Sequence, residues 1–279
     1  MPYKSIVTFV NSHTADMPTV LAAAGLAERY EGHLTAVCLG IDRTNAGAYY
    51  GGASALALQQ SLEEAQVEAV ANEKAIAASL GIWSISKEVY SITAQVGAIA
   101  PLVGERAQLS DLIVLPKPYG SGRGVEDVVI TESALFRTRV PVLVMPAGMD
   151  TAAAPQNVVI AWNESIEALA AIRAALPILR AAEDVDVAII DPPIHGADRS
   201  DPGGALSEML SRHGIRGNVS VLAKTMPHVS DVLCRHCEDR GADLLVMGAY
   251  GHSRFREAIL GGATRNMLEM ATLPVLMAH

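Results

Sequence analysis

The sequence predicts an α/β protein built from two tandem, doubly wound, five-stranded parallel-sheet domains. Three observations carry this reading. Short apolar runs alternate with helical patterns along the whole chain, the apolar runs are near-continuous Val, Ile and Leu, and the pattern occurs twice. Strands of that composition are the ones buried on both faces, as in parallel sheets covered by helices. Strands that alternate with helices form βαβ units.

The repeat is explicit. Ser110-Asp111-Leu112-Ile113-Val114-Leu115 returns as Ala242-Asp243-Leu244-Leu245-Val246-Met247. Val140-Pro141-Val142-Leu143-Val144-Met145 returns as Leu273-Pro274-Val275-Leu276-Met277, and Ser5-Ile6-Val7-Thr8-Phe9-Val10-Asn11 as Asn157-Val158-Val159-Ile160-Ala161-Trp162-Asn163. Three matches in the same order indicate a duplicated domain. Two prolines, a glycine and small residues over 145–155 are linker chemistry, so the domains are expected at 1–148 and 155–279. The 279 residues allow each about 150, enough for an ordinary core.

In the first half strands are expected at 4–10, 33–39, 84–90, 111–115 and 141–145, with helices at 17–30, 54–79 and 95–108. In the second half the strands are expected at 157–162, 184–190, 217–222, 243–247 and 274–277. Helices there are expected at 165–182, 229–240 and 255–271, with a short one near 204–213 as the counterpart of 54–79.

Composition narrows the function. Hydrophobic residues make up 50% and charged residues 18%, which is not the balance of a disordered chain. No uncharged run reaches the ~20 residues that cross a bilayer, so no membrane role is expected. The net charge of −9 argues against nonspecific nucleic-acid binding, since nothing offsets phosphate repulsion. Three cysteines imply no disulfide framework. With no basic segment and apolar run at the N-terminus, a cytoplasmic location is expected.

In open sheets of this kind ligands sit at the carboxyl ends of the strands, where strand order reverses. After the fourth strand of the second half comes Gly248-Ala249-Tyr250-Gly251-His252-Ser253-Arg254, and later Gly261-Gly262-Ala263-Thr264. Glycines let backbone amides approach a ligand closely, and amides at a helix start cradle phosphate. Ser253, Arg254 and Thr264 add donors. The plain alternative is that these glycines only make turns. The first half reads Pro116-Lys117-Pro118-Tyr119-Gly120-Ser121-Gly122-Arg123-Gly124 in the comparable loop. There Leu115 and Pro118 are placed opposite Gly248 and Gly251, and Val128-Val129 opposite Gly261-Gly262. Prolines remove amide donors, so this loop is read as divergent rather than as an anion nest.

The spacing of Gly248, Gly251 and Gly261 resembles the nucleotide signature of the universal stress protein family, which is Gly, two residues, Gly, nine residues, Gly, then Ser or Thr. Gly262 departs from the hydroxyl position, and Thr264 follows two places later. The opening Val159-Ile160-Ala161-Trp162-Asn163-Glu164-Ser165 and the closing Leu273-Pro274-Val275-Leu276 strand add to the resemblance, which covers the chain as two copies. It implies an adenine-nucleotide hydrolase-like fold with the two domains packed as an intrachain pseudo-dimer through their last strands. It also implies a stress-response protein binding ATP or a related adenine nucleotide, one per chain, in the second half. In the family an Asp closing the first strand holds adenosine, and the matching residue here is Asn163. Ala161 and Trp162 lead into it, Ile190 maps to the backbone against adenine, and Met247 and Tyr250 belong to the same pocket. Asn163 also reads as a helix cap, and Ile190 and Met247 as core. No metal is required by the sequence, though Mg would accompany the nucleotide.

No Ser-His-Asp spacing, paired catalytic carboxylates or Walker sequence is present, so a binding protein with little or no hydrolysis is expected. Two alternatives stand beside it: an interaction protein without a nucleotide, and an enzyme on the related hydrolase fold. A protein partner is left unspecified, and a homodimer is compatible with the reading. Cys234-Arg235-His236-Cys237 reads as a core-facing helical pair, because closed zinc sites need four ligands. The loop 191–198 reads as a turn segment or a lid, and Tyr49 and Tyr50 within 47–52 as candidates to meet a partner.

Overall fold

A computed structural model of the protein describes residues 2–43, 55–148, 154–192, 201–249 and 262–279. The chain divides into two compact units, Tyr3–Val140 and Pro141–His279. The first comprises β1 (Ser5–Val10), α1 (His13–Arg29), β2 (His33–Asp42), α2 (Ala55–Leu80), β3 (Ser86–Gln95), α3 (Ile99–Ala107), β4 (Leu112–Pro116) and α4 (Val125–Arg137). Its strands are parallel and lie in the order β3-β2-β1-β4. The second comprises β5 (Val142–Met145), β6 (Asn157–Ala161), α5 (Ile166–Leu179), β7 (Asp184–Ile190), α6 (Gly204–Arg212), β8 (Gly217–Leu222), α7 (Val229–Arg240), β9 (Leu244–Gly248), α8 (Ala263–Met270) and β10 (Val275–Ala278). Its order is β5-β10-β9-β6-β7-β8, parallel except where β5 meets β10.

Each half of the sequence therefore supplies five strands, as expected, but the fifth strand of the first half belongs to the second compact unit. Val142, Leu143 and Val144 pair antiparallel with Met277, Leu276 and Val275. That ladder satisfies an edge of β10 that would otherwise present open amides and carbonyls. The last strands of the two halves thus pair with each other.

Both units are doubly wound. From β1 the chain moves to β2 and β3 on one side and returns to β4 on the other; from β6 it moves to β7 and β8, then back to β9 and β10. With right-handed crossovers, reversal of direction puts successive helices on opposite faces. The central strands are accordingly mostly apolar: Ile6, Phe9, Leu34, Ile113, Val158, Ile160, Val187, Leu245 and Val246 are all fully buried.

The repeated Asp before the fourth strand has a structural task. Asp111 accepts the amides of Lys4 and Ser5 (2.7 and 2.9 Å), and its own amide donates to the Ser5 carbonyl at 2.7 Å. Asp243 does the same at β6, accepting from Gln156 and Asn157 at 2.8 and 3.1 Å and donating to the Asn157 carbonyl at 2.9 Å. Each carboxylate thus holds the start of the first strand beside the start of the fourth.

Most strands lie within one or two residues of expectation; β2 and β3 run on further, to Asp42 and Gln95. Helix α1 begins at His13 rather than 17, because the Ser12 side chain caps it by accepting from the Ala15 amide. Helix α4 was not expected from the pattern. Of the stretch 255–271, only the part from 262 lies within the described residues.

Candidate functional site

Strand order in the second unit reverses between β6 and β9, and the carboxyl ends of these two strands form the crevice of interest. Ala161 and Met247 are direct register partners there. Ala161 also pairs with Ala188 on β7, and the Trp162 amide donates to the Ala188 carbonyl at 2.9 Å, extending the ladder one residue past β6. Three sequence-predicted residues, Ala161, Trp162 and Met247, are thus brought together. Ile190 lies further along β7, half-buried and paired with Leu222. Met247 is buried in the core.

Gly248 ends β9 against the first turn of α5. A Cβ built there would stand 2.5 Å from the Ala168 amide nitrogen and 2.8 Å from the Glu167 carbonyl carbon. Glycine is needed at this point so that the helix start can close onto the strand end. Ser165 caps α5 by accepting the Ala168 amide at 3.1 Å. Asn163 is exposed, and its Oδ1 accepts the Ser165 amide at 3.2 Å. The side chain that was expected to meet adenosine therefore also shapes the turn, although Ser165 rather than Asn163 is the helix cap.

Helix α8 starts at Ala263 with Gly262 in extended geometry (φ −66°, ψ 172°) as its N-cap, and its first turn holds no acidic residue. Thr264 is buried, whereas Ala263 and Arg265 are exposed. The Arg265 Nε donates to Glu269 at 2.9 Å. A helix start with no carboxylate of its own and a cation in its first turn suits an anion. Tyr250, Gly251, Ser253, Arg254 and Gly261 lie outside the described residues.

The comparable crevice of the first unit, between β1 and β4, is built differently. Strand register places Pro116, not Leu115, opposite Gly248: Leu112 pairs with Ile6 as Leu244 pairs with Val158. Capping places Gly124, not Val128-Val129, opposite Gly262, because Gly124 is the N-cap of α4. The second offset arises because the loop from Pro116 to Gly124 is shorter than that from Gly248 to Gly262, whereas the first is a one-residue shift against the strand repeat itself.

Around Gly124 lies a buried polar network that sequence reading missed. The Asp127 carboxylate accepts the Gly124 amide at 2.7 Å and the Asn11 side-chain amide at 3.1 Å. Arg123 Nη1 stands 2.5 Å from Asp16 and 3.4 Å from Asp127, and its Nη2 donates to the Ala15 carbonyl. Asp16 also accepts the amides of Asn11 and Ser12. Burial raises the Asp127 carboxyl above the usual carboxylate range, against the opposing pull of the Gly124 amide and the Arg123 guanidinium. Beside it, Arg43 holds Glu126 at 2.7 Å. Burial acts to raise Glu126, but the backbone bond and Arg43 outweigh it, and Glu126 sits below its ordinary value. The sequence signal for this arrangement is Glu126-Asp127 two and three residues after Gly124, a helix-start pattern.

Asn72 fixes a second corner of this crevice. Its Nδ2 donates to the Asn11 carbonyl at 3.0 Å, so its Oδ1 is the acceptor for the His13 amide (2.9 Å) and for His13 Nδ1 (2.8 Å).

Of the cysteine pair expected to face the core, Cys237 does so and Cys234 is half-buried. Cys237 is buried, and burial first, then Cys234 and Asp186, pushes its thiol up to about 12. Cys234 Sγ lies 3.7 Å from the Met267 sulfur. Among the described residues no group of three or more His, Cys, Asp or Glu could hold a metal. Buried Asp186 takes His236 Nε2 at 2.6 Å and the Ser220 hydroxyl at 2.8 Å on its two oxygens. Serine and histidine both bond the carboxylate rather than each other, which is not the geometry of an activated nucleophile. Residues 47–52 and most of 191–198 lie outside the described residues. No helix among those residues is long and apolar enough to cross a membrane.

Comparison with known proteins agrees with this architecture. Residues 155–279 match the model of the Universal stress protein family. Universal stress protein Slr1230 of Synechocystis sp. is 33% identical over 97 residues, 32% of this chain and 33% of the relative. Universal stress protein MJ0577 of Methanocaldococcus jannaschii is 30% identical over 57 residues, 20% of this chain and 34% of the relative. The chain thus spans about a third of the length of the curated relatives it matches. The crystal structure of a universal stress protein from Archaeoglobus fulgidus superposes with a TM-score of 0.69, covering 98% of this chain and 95% of its own at 15% identity, which establishes a shared fold. Residues 155–279 are thus similar to the universal stress protein family, of the UspA-like kind.

Proposed function

We propose that this is a stress-response binding protein that holds one adenine nucleotide, ATP or a close relative, at the β6/β9 crevice of its second half, with little or no hydrolysis. The observation that carries the reading is the convergence of Ala161 and Met247 at the point of strand-order reversal, together with a helix α8, following β9 in the chain, whose start carries Gly262 and no acid. Ala161, Trp162 and Met247 would form the wall against the base, with Ile190 further along β7. Asn163 would offer its side-chain amide to the ribose. The amides at Ala263 and Thr264, with Gly251, Ser253, Arg254 and Gly261 from the preceding loop, would hold the phosphates. Magnesium would arrive with the nucleotide, because no cluster of protein ligands among the described residues fits it alone. No described side chain at the crevice stands ready as a base for water, so the chemistry supported is binding.

A cytoplasmic setting goes with this reading, as do domain limits near 1–148 and 155–279. One observation favours an interaction protein without a nucleotide: Asn163 lacks the charge of the family's aspartate and already spends its Oδ1 on Ser165. Native mass spectrometry of the purified chain decides between the two. Retention of one adenine nucleotide per chain, or uptake of one ATP on titration, supports the first; no uptake at millimolar ATP supports the second.

A further inference from the structure

The starts of α4 and α8 hold equivalent places in the two halves, each following the fourth strand and each capped by an extended glycine, Gly124 and Gly262. Their first turns are opposite in charge. Counting from the cap, Glu126 and Asp127 stand where the second half has Thr264 and Arg265, and Arg123 precedes the cap where the second half has Gly261. In the first half the Gly124 amide is already bonded to a carboxylate, that of Asp127.

We propose that Asp127, clamped by Arg123, is the residue that denies the first half an anionic ligand: its carboxylate fills the place at the helix start that α8 leaves to a phosphate. The proposal rests on the nucleotide reading of the second half. Its physical content is that a helix start has a small set of amides directed at one point. The Asp127 carboxylate takes the Gly124 amide and sets a negative charge against the partial positive charge of the helix start. Arg123 does not compensate by attracting an anion. Its Nη1 lies between Asp16 and Asp127 and its side chain is nine-tenths buried, so the positive charge is spent inside the chain. Asp16 in turn is fixed by the amides of Asn11 and Ser12 at the end of β1. A phosphate approaching this crevice would meet two buried carboxylates, with Glu126 beside them. The sealed crevice is specified by three residues rather than by the prolines after β4.

The test reproduces the second half's residues in the first. A variant combining Arg123→Gly, Glu126→Thr and Asp127→Arg is titrated with ATP beside the wild-type full chain, with folding checked by circular dichroism. The expected result is one site in the wild type and two in the variant. One site in both, with the variant folded, overturns the proposal and leaves the nucleotide reading standing. Two sites in the wild type overturn it outright.

Asp127→Ala provides an independent measurement should the triple variant fail to fold. Replacing chloride by inorganic phosphate at matched ionic strength is expected to raise its Tm more than that of the wild type, and an equal rise overturns the proposal. If the wild type binds no ATP, the nucleotide reading fails, and the phosphate response of Asp127→Ala alone decides this inference.

Discussion

At Gly248 a strand end and a helix start of the second half press together to a steric limit. A methyl group there would meet backbone atoms of Glu167 and Ala168 at 2.5–2.8 Å, and backbone cannot swing aside as a long side chain can. Gly248→Ala is therefore expected to destabilise the second half by about 1–3 kcal/mol, the usual cost of overpacking. The denaturant midpoint should fall with an unchanged slope, and an unshifted midpoint would mean that α5 does not press on β9. Asn163 presents a different balance. Its Oδ1 bonds the Ser165 amide, while its side-chain NH2 group can still donate. Asn163→Ala should weaken ATP binding by roughly 0.5–1.5 kcal/mol, one net hydrogen bond, with only a small drop in Tm. Unchanged affinity with a lowered Tm would assign the residue to the turn alone.

At the scale of elements, the repeated aspartates are the clearest instance of sequence similarity translating into the same bonds. Asp111 and Asp243 each accept two amides from the start of the neighbouring first strand. Asp111→Ala and Asp243→Ala should each cost about 1–3 kcal/mol, since two charge-assisted bonds are lost, at an exposed position for Asp111 and a half-buried one for Asp243. Guanidinium titration of the two variants should show losses of similar size, and a neutral result for either would break the equivalence of the halves. The strands were legible because continuous Val, Ile and Leu admits few other readings in a chain of this length. Helix α4 was not, because Val128, Val129, Ile130 and Thr131 are β-branched and weak in helix propensity. It forms through its cap and its packing: Asp127 closes the first turn on Gly124, and Ile130, Ala134 and Leu135 are buried. The polar network of the first crevice was hidden for a different reason. Asp16 and Arg123 are separated by more than a hundred positions, and only the fold brings the α1 start beside the α4 start. In the candidate site, Ala161, Trp162 and Met247 were readable because they end strands. The glycine spacing alone placed the first-half counterparts one to five residues away from where register and capping put them.

At the scale of the whole molecule, duplication has produced two crevices with the same strand-order reversal and unlike electrostatics. The first carries Asp16, Glu126 and Asp127 against Arg43 and Arg123, each in contact with an opposite charge. The second offers α8 with an acid-free first turn. The chain is thus expected to take up at most one nucleotide. The difference can be moved to the second half with a single substitution. Arg265→Asp puts a carboxylate at the third helical position of α8, where Asp127 stands in α4, so that it can cap the Gly262 amide as Asp127 caps Gly124. An acid in a first turn favours the helix by about 0.3–1 kcal/mol, while losing the Glu269 bond and facing Glu269 with a like charge one turn away costs a similar amount, so the Tm should stay close to that of the wild type. Its ATP affinity should nevertheless fall roughly ten- to a hundredfold, the equivalent of about 1.5–3 kcal/mol for a charge-assisted bond to phosphate replaced by an internal one. Calorimetric titration with ATP beside a thermal melt separates the two effects. Weaker binding at a Tm close to that of the wild type places the phosphates at the start of α8. Unaltered binding would put them elsewhere in the second half and remove the charge contrast as the reason for one site per chain.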